Sequence, residues 1–228
     1  MNRKVLITGT NGGLGSFLEK KYENSDCITR KNPLNEIHYN TKYDLIIHCA
    51  FNQNRDDLDF VNKKCYEDNI VLIQNLLKIS HDKFIFISTC QTPPDINTYV
   101  VMKRICEFMV QDVSKNYLII RPSCMVGDNM KKNSIYKLMN GEDITLTEDS
   151  VNDFILFDDV YDTIESYENG IYYLLSSKKF TMGEISKIYN KKINFGKWKY
   201  DIGNLETDID IKKTSLEVLE QYFGKINE

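Results

Sequence analysis

Lys4-Val5-Leu6-Ile7-Thr8-Gly9-Thr10-Asn11-Gly12-Gly13-Leu14-Gly15 is a short apolar run that breaks into glycines and then opens a helical pattern. A continuous aliphatic run predicts a strand covered on both faces. The glycines fall at the spacing GxxGxxG. Gly9 permits a tight turn, Gly12 lets backbone approach a pyrophosphate, and Gly15 allows a helix to pack closely on the strand. Asn11, Gly13 and Leu14 complete the loop. The helix that follows presents unpaired N–H groups to phosphate oxygens.

Outward from this loop, apolar runs alternate with helical patterns, the signature of parallel βαβ units. Strands are predicted at Cys27 to Thr29, Asp44 to Cys49, Phe84 to Ser88 and Tyr117 to Arg121. Helices are predicted at Leu14 to Tyr22, Tyr66 to Ser80 and Asn97 to Gln111. After Pro122 the pattern weakens. Lys131 to Gly141 reads as a short helix, Asp143 to Asp149 as a strand and turn, Ile155 to Phe157 and Ile171 to Leu175 as strands, and Phe180 to Tyr189 as a helix. The expected fold is α/β: a Rossmann-type, doubly wound parallel sheet, with a small C-terminal substrate lobe woven onto it. Residues 1–228 are read as one dinucleotide-binding domain, with 123–150 and about 176–228 contributing the lobe.

Composition narrows the function. A formal net charge of −4 argues against a nucleic-acid surface. No apolar run approaches the roughly 20 residues that span a bilayer, so no membrane partner is expected. The start, Met1-Asn2-Arg3-Lys4, does not read as a signal peptide. Six cysteines carry no CxxC pair and no histidine pattern, which reads as reduced thiols without a metal site. A cytoplasmic location is expected.

Several residues carry candidate chemistry. The second strand ends Thr29-Arg30-Lys31, where a dinucleotide fold meets the adenosine ribose. Arg30 offers a planar donor fork and Lys31 a second charge, which suits a 2′-phosphate. NADP is therefore expected as cofactor, with NAD possible. His48-Cys49-Ala50 ends the third strand at the ligand-binding edge. Cys49 and Ala50 are expected against the cofactor, and His48 as a buried structural residue. Ser88 and Thr89 end the next strand, and Tyr99 and Lys103 lie one helical turn apart on one face. A tyrosine has a pKa near 10 and is a poor proton donor or acceptor at neutrality; a lysine ammonium beside it favours the phenolate.

Taken in order, these motifs resemble the extended short-chain dehydrogenase/reductase superfamily, in its NAD-dependent epimerase/dehydratase branch acting on nucleotide sugars. Thr8 to Gly15 matches TGxxGxxG, and Asp44 to Ala50 resembles DxViHxAA. Asn69 with Asn75-Leu76-Leu77 resembles the N…NLL helix. Ile87-Ser88-Thr89 is similar to the strand carrying the active-site hydroxyl, and Tyr99 with Lys103 fits YxxxK, with Glu107 at the family's acidic position. Arg121-Pro122-Ser123, continuing to Gly127, resembles RPxxxxG. Asn152 to Ile155 with Asp158-Asp159-Val160 resembles RDFxxVDDV. The resemblance implies that Tyr99, Lys103, Thr89 and Ser88 are catalytic. It also implies that Asn69, Lys103, Pro122 and Ser123 join the glycine loop in binding cofactor, that the substrate is a nucleotide sugar, and that a homodimer can form through the Tyr99 helix.

The chain departs from the family in three places. No room remains for the usual third strand and helix. The stretch from Thr89 to Tyr99 is short. Thr89-Cys90-Gln91 lacks the acidic pair of the 4,6-dehydratases; Ser88-Thr89-Cys90 resembles an epimerase Ser-Ser-Cys, but no histidine follows His81 to act as its partner acid. Cys90 is accordingly read as packing. The expected activity is NADP(H)-dependent reduction of a nucleotide-linked keto-sugar. A nucleotide-sugar epimerase retaining NAD and a non-catalytic dinucleotide sensor or scaffold are the alternatives.

Overall fold

The structure is a computed structural model that describes residues 3–53, 63–91, 97–209 and 211–224. Outside these lie Met1-Asn2, much of the polar loop after the third predicted strand, and residues 92–96 of the short stretch before Tyr99.

In chain order the first elements are β1 (Val5–Thr8), α1 (Gly13–Lys21), β2 (Asp26–Ile28), α2 (Glu36–Tyr39) and β3 (Tyr43–His48). Then come α3 (Lys63–Tyr66), a π-helical turn (Glu67–Val71) leading into α4 (Leu72–Leu77), β4 (His81–Ile87), α5 (Thr98–Val113) and β5 (Tyr117–Pro122). The remainder comprises β6 (Cys124–Val126), α6 (Ser134–Met139), β7 (Val151–Asn152), β8 (Phe154–Leu156), α7 (Phe157–Ser166), β9 (Gly170–Leu174), β10 (Phe180–Thr181), α8 (Met182–Ile188) and α9 (Ser215–Phe223).

The chain divides into two compact units: Met1–Arg121 with Tyr161–Tyr172, and Pro122–Val160 with Tyr173–Glu228. The first is built on the six-stranded sheet, whose order is β2-β1-β3-β4-β5-β9. β1 pairs in parallel with β2 on one side and β3 on the other, and β4 and β5 continue in parallel. This is the Rossmann-type α/β fold. The four-residue α2, in a region where the sequence predicts no helix, carries the chain from β2 across β1 to β3, and among the described residues no strand lies outside β2. The core follows from the continuous apolar strands: Leu6, Ile46, Phe84, Phe86 and Ile119 are fully buried beneath Ile73, Leu76, Met102, Cys106 and Val110 of the helices. Parallel strands covered on both faces have no polar side to alternate with.

The second unit has its own core, formed by Val126, Leu138, Phe154, Met182, Ile185, Val218 and Leu219 among others. Several expectations need correction here. Asp143 to Asp149 is not a strand; Leu146 makes only an isolated bridge to Trp198, and Thr147 and Ser150 close a turn. Phe157 begins α7 instead of ending a strand, because Asp159 accepts the Leu156 N–H at 2.7 Å and so satisfies a donor at the helix start. Phe180 pairs with Asn152 in a short antiparallel ladder before α8 begins. In the first unit, the helix expected from Tyr66 to Ser80 is interrupted by the π turn.

Candidate active site

The carboxyl ends of β1, β3 and β4 lie side by side: Thr8 is level with His48, and His48 with Phe86. In open parallel sheets this edge is where ligands bind. Three loops leave it, and each carries part of the candidate site.

The loop after β1 holds the glycines. Gly9 has φ of +80°, and a Cβ there would lie 2.7 Å from the Ala50 nitrogen. A Cβ on Gly15 would lie 2.6 Å from the Gly9 carbonyl carbon, so the α1–β1 approach requires glycine at both positions. Gly12 is the N-cap of α1, with no side-chain cap and no acidic residue in the first turn. Asn11 and Gly12 are exposed, Gly13 is half-buried, and Leu14 and Gly15 are buried. The exposed, uncapped N-terminus fits a pyrophosphate, because its first N–H groups have no helical partners and no competing carboxylate.

The loop after β3 is fixed to this turn. The Thr8 hydroxyl meets His48 Nδ1 at 2.7 Å and accepts the Ala50 N–H at 3.1 Å. His48 is fully buried and stacks on Phe86 at 5.5 Å, and burial pushes its pKa down to about 3, so it stays neutral. Cys49 is half-buried, and burial pushes its thiol up to about 12. Asn69, expected on the cofactor, is fully buried in the π turn. Its Oδ1 accepts the Asn52 N–H at 2.7 Å and its Nδ2 donates to the Asn52 carbonyl at 3.1 Å. These two bonds hold the start of the β3 loop against the π turn. Arg30 is exposed and donates to Asp68 at 2.8 Å, and Lys31 is exposed beside it.

The third loop follows β4 and faces α5. The side chain of Asn97 accepts the Val100 N–H at 3.1 Å, an N-cap that starts α5 just before Tyr99. Tyr99 and Lys103 are both buried, at 8% and 3% exposure. The Lys103 Nζ donates to the Ile87 carbonyl at 2.5 Å and lies 5.8 Å from the centre of the Tyr99 ring. Burial pulls the Lys103 pKa down to about 7; Cys106, Cys49 and Glu107 oppose the fall and Arg104 adds to it. The Ser88 hydroxyl donates to the buried Glu107 carboxylate, which also pairs with the partly exposed Arg104 and Arg121. Arg104 in turn donates to the carbonyl of Thr89 at 3.3 Å and that of Gln91 at 2.9 Å, pinning the start of the short loop. The Thr89 Oγ1 accepts the Gln91 N–H at 3.3 Å. Cys90 is 2% exposed, in keeping with packing.

Phe51, which no sequence motif singles out, joins these parts. It follows Ala50 in the β3 loop, its ring covers Lys103 Nζ at 3.9 Å, and it meets Tyr99 edge-on at 5.4 Å. Arg104 likewise falls outside every motif, although a cation one residue beyond Lys103 and three before Glu107 is a readable signal. Of the remaining expected residues, Pro122 ends β5 and is buried, and Ser123 is buried with its N–H on the Leu174 carbonyl at 3.1 Å. Among the described residues no group of histidine, cysteine, aspartate or glutamate side chains could hold a metal, and no helix is long and apolar enough to cross a membrane.

The fold recurs in solved enzymes. The dTDP-4-dehydrorhamnose reductase of Bacillus anthracis, solved in complex with NADP, superposes with a TM-score of 0.73 at 20% identity, covering 98% of this chain and 99% of that one. The UDP-N-acetylglucosamine 4-epimerase of Methanobrevibacter ruminantium, solved with UDP-N-acetylmuramic acid, gives 0.73 at 17% identity over 99% and 97%. A mutant UDP-glucuronic acid 4-epimerase of Bacillus cereus, solved with a fluorinated UDP-sugar and NAD, gives 0.69 at 16% identity over 96% and 98%. No protein-family model matches the chain, and no curated protein sequence does. The chain therefore has the fold of nucleotide-sugar reductases and epimerases over nearly its full length.

Proposed function

We propose that this protein is an NADP(H)-dependent reductase of a nucleotide-linked keto-sugar. The observation that carries the reading is the direct linkage of the glycine loop to the Tyr99–Lys103 pair through two consecutive residues. Ala50 is held against the loop by Thr8, and Phe51 rests on both Lys103 and Tyr99. The glycine loop after β1 and the Tyr99–Lys103 pair on α5 are thus bridged by the residues that follow β3. The NADP-bound reductase of the same fold supports the choice of cofactor and substrate class.

The cofactor residues would be Gly9, Asn11, Gly12, Gly13, Leu14 and Gly15 at the pyrophosphate, Arg30 and Lys31 at the 2′-phosphate, Cys49 and Ala50 along its length, and Lys103, Pro122 and Ser123 at the nicotinamide end. When bound, NADPH supplies the hydride. Tyr99 donates the proton to the alkoxide forming on the keto carbon, a contribution of about 10²–10⁴-fold. Lys103 favours the phenolate left behind, with its cationic form close to the ring. Thr89 orients the carbonyl oxygen. Ser88 is the weaker candidate for that task, because its hydroxyl is committed to Glu107.

The second unit, which contains both 123–150 and 176–228, is read as the substrate lobe. The exposed Ile105 and Phe108 on α5 supply a face for a second copy. Six cysteines outside any disulfide suit the cytoplasm. NADPH and NADH oxidation against a panel of nucleotide 4-keto-6-deoxy sugars tests the reading. Turnover lost in Tyr99→Phe supports it, and a Tyr99→Phe variant as fast as the parent sinks it. An epimerase is the second reading, favoured by the UDP-sugar epimerases that share the fold; NAD retained through purification would select it over exchangeable NADPH.

A further inference from the structure

The ammonium of Lys103 is closed in on several sides. Its Nζ lies 3.9 Å from the centre of the Phe51 ring and 4.6 Å from that of Phe86, and it donates to the Ile87 carbonyl. Lys103 is 3% exposed, so a ribose hydroxyl cannot reach it as the side chains stand. Phe86 belongs to the buried sheet core, at 0% exposure, and cannot yield. Phe51 is only half-buried. Its backbone is pinned on both sides, by Thr8 on the Ala50 N–H and by Asn69 on the Asn52 N–H. A side-chain rotation is therefore the movement open to it.

We propose that Phe51 is a displaceable cap on Lys103: the nicotinamide half of the dinucleotide engages Lys103 only as the Phe51 ring swings aside. The adenosine half, expected at the glycine loop and Arg30, binds without that movement. This deepens the reductase reading and rests on it. A desolvated cation–π contact is strong enough that breaking it weakens binding by about tenfold. Wild-type cofactor affinity thus carries a penalty that is absent from affinity for the adenosine half.

The test measures dissociation constants of NADPH and of adenosine 2′,5′-bisphosphate for the full chain, Phe51→Ala and Phe51→Leu, by calorimetry. NADPH is expected to bind about tenfold more tightly to Phe51→Ala and also more tightly to Phe51→Leu, with the bisphosphate unchanged. A second measurement needs no ligand. Acetylation of Lys103 by acetic anhydride, mapped by mass spectrometry, is expected to rise about tenfold in either variant over wild type. Should Phe51→Ala not fold, as shown by loss of bisphosphate binding, the Leu variant decides. Unchanged NADPH affinity together with unchanged Lys103 labelling overturns the cap while leaving the reductase reading intact. Failure of wild type to bind NADPH, with Lys103 labelling raised in the variants, overturns the reductase reading and with it the cap's role in cofactor binding.

Discussion

The Ser88 hydroxyl at the end of β4 donates to the buried carboxylate of Glu107 on α5, and so ties that strand to that helix. Arg104 and Arg121 hold the same carboxylate, with Arg121 reaching it through two nitrogens at 3.1 and 2.6 Å. Removing the shared carboxylate leaves two partly exposed guanidiniums without their common partner, which costs less than the roughly 3–5 kcal/mol of a fully buried pair. Glu107→Gln is therefore expected to lose more stability in urea-induced unfolding than Ser88→Ala, because it weakens the serine bond and both arginine pairs together. The serine change removes one hydrogen bond to a charged group, worth about 1.5–3 kcal/mol. Equal losses in the two variants would show that the arginines do not depend on Glu107.

The same bond separates the two hydroxyls at the strand end. With Ser88 held by Glu107, Thr89 is the hydroxyl that the proposed mechanism assigns to the substrate carbonyl. Thr89→Val is expected to lower kcat of keto-sugar reduction about 100-fold, within the range of a lost positioned donor. Ser88→Ala should retain kcat within about tenfold. A larger loss in Ser88→Ala than in Thr89→Val would reverse the assignment.

The parts legible in sequence are those set by local rules. The strands of the first unit stand out because a strand buried on both faces is apolar without interruption, as at Leu45, Ile46 and Ile47. The glycine loop is legible because Gly9 and Gly15 have no room for a Cβ. Helix α9 is absent from the sequence expectations, although Thr214 and Glu217 form a capping box that marks its start. Phe51 and the packing of Asn69 are illegible for a different reason. Phe51 looks like an isolated aromatic in a polar loop, and only folding brings it over Lys103. Asn69 fits a binding motif, and its burial beneath Asn52 emerges only from tertiary packing.

The glycine loop separates folding from binding. Gly12→Ala places a Cβ 3.3 Å from the Gly9 carbonyl oxygen, a contact that a small shift relieves. It is expected to fold with a melting temperature near wild type while NADPH binding weakens at least tenfold, because the methyl group intrudes on the phosphate approach. Gly15→Ala drives a Cβ into Gly9 and Thr10 backbone, which cannot give way as a flexible side chain would. Overpacking of this kind costs about 1–3 kcal/mol or more, so its melting temperature should fall. Thermal scans of the two variants beside NADPH titrations check both statements.

Arg30 is exposed and reaches Asp68 with one nitrogen of its fork. An exposed pair of this sort adds at most about 1 kcal/mol to stability. Arg30→Ala should therefore leave unfolding almost unchanged. If the guanidinium binds the 2′-phosphate, the variant should lose most of its preference for NADPH over NADH. An unaltered ratio of kcat/KM for the two cofactors would remove Arg30 from cofactor selection.

Lys103 makes stability depend on pH in a defined direction. Burial holds its pKa at about 7 in the folded protein, against an ordinary 10.5 in the unfolded chain. Between those values the unfolded chain carries a proton that the folded protein has shed. Stability therefore rises with pH from about 7, at no more than about 1.4 kcal/mol per pH unit. Cys49 and Cys106 act the other way: burial pushes both thiols up to about 12 from an ordinary 9.0, so stability falls as pH climbs past 9. The lysine's effect is thus cleanest between about pH 7 and 9. Lys103→Met, which keeps the side-chain length and removes the charge, should flatten the rise in that window relative to wild type. Urea unfolding at pH 7, 8 and 9 reads the difference, and parallel pH profiles for the two proteins would show that the ammonium is not held in a costly site.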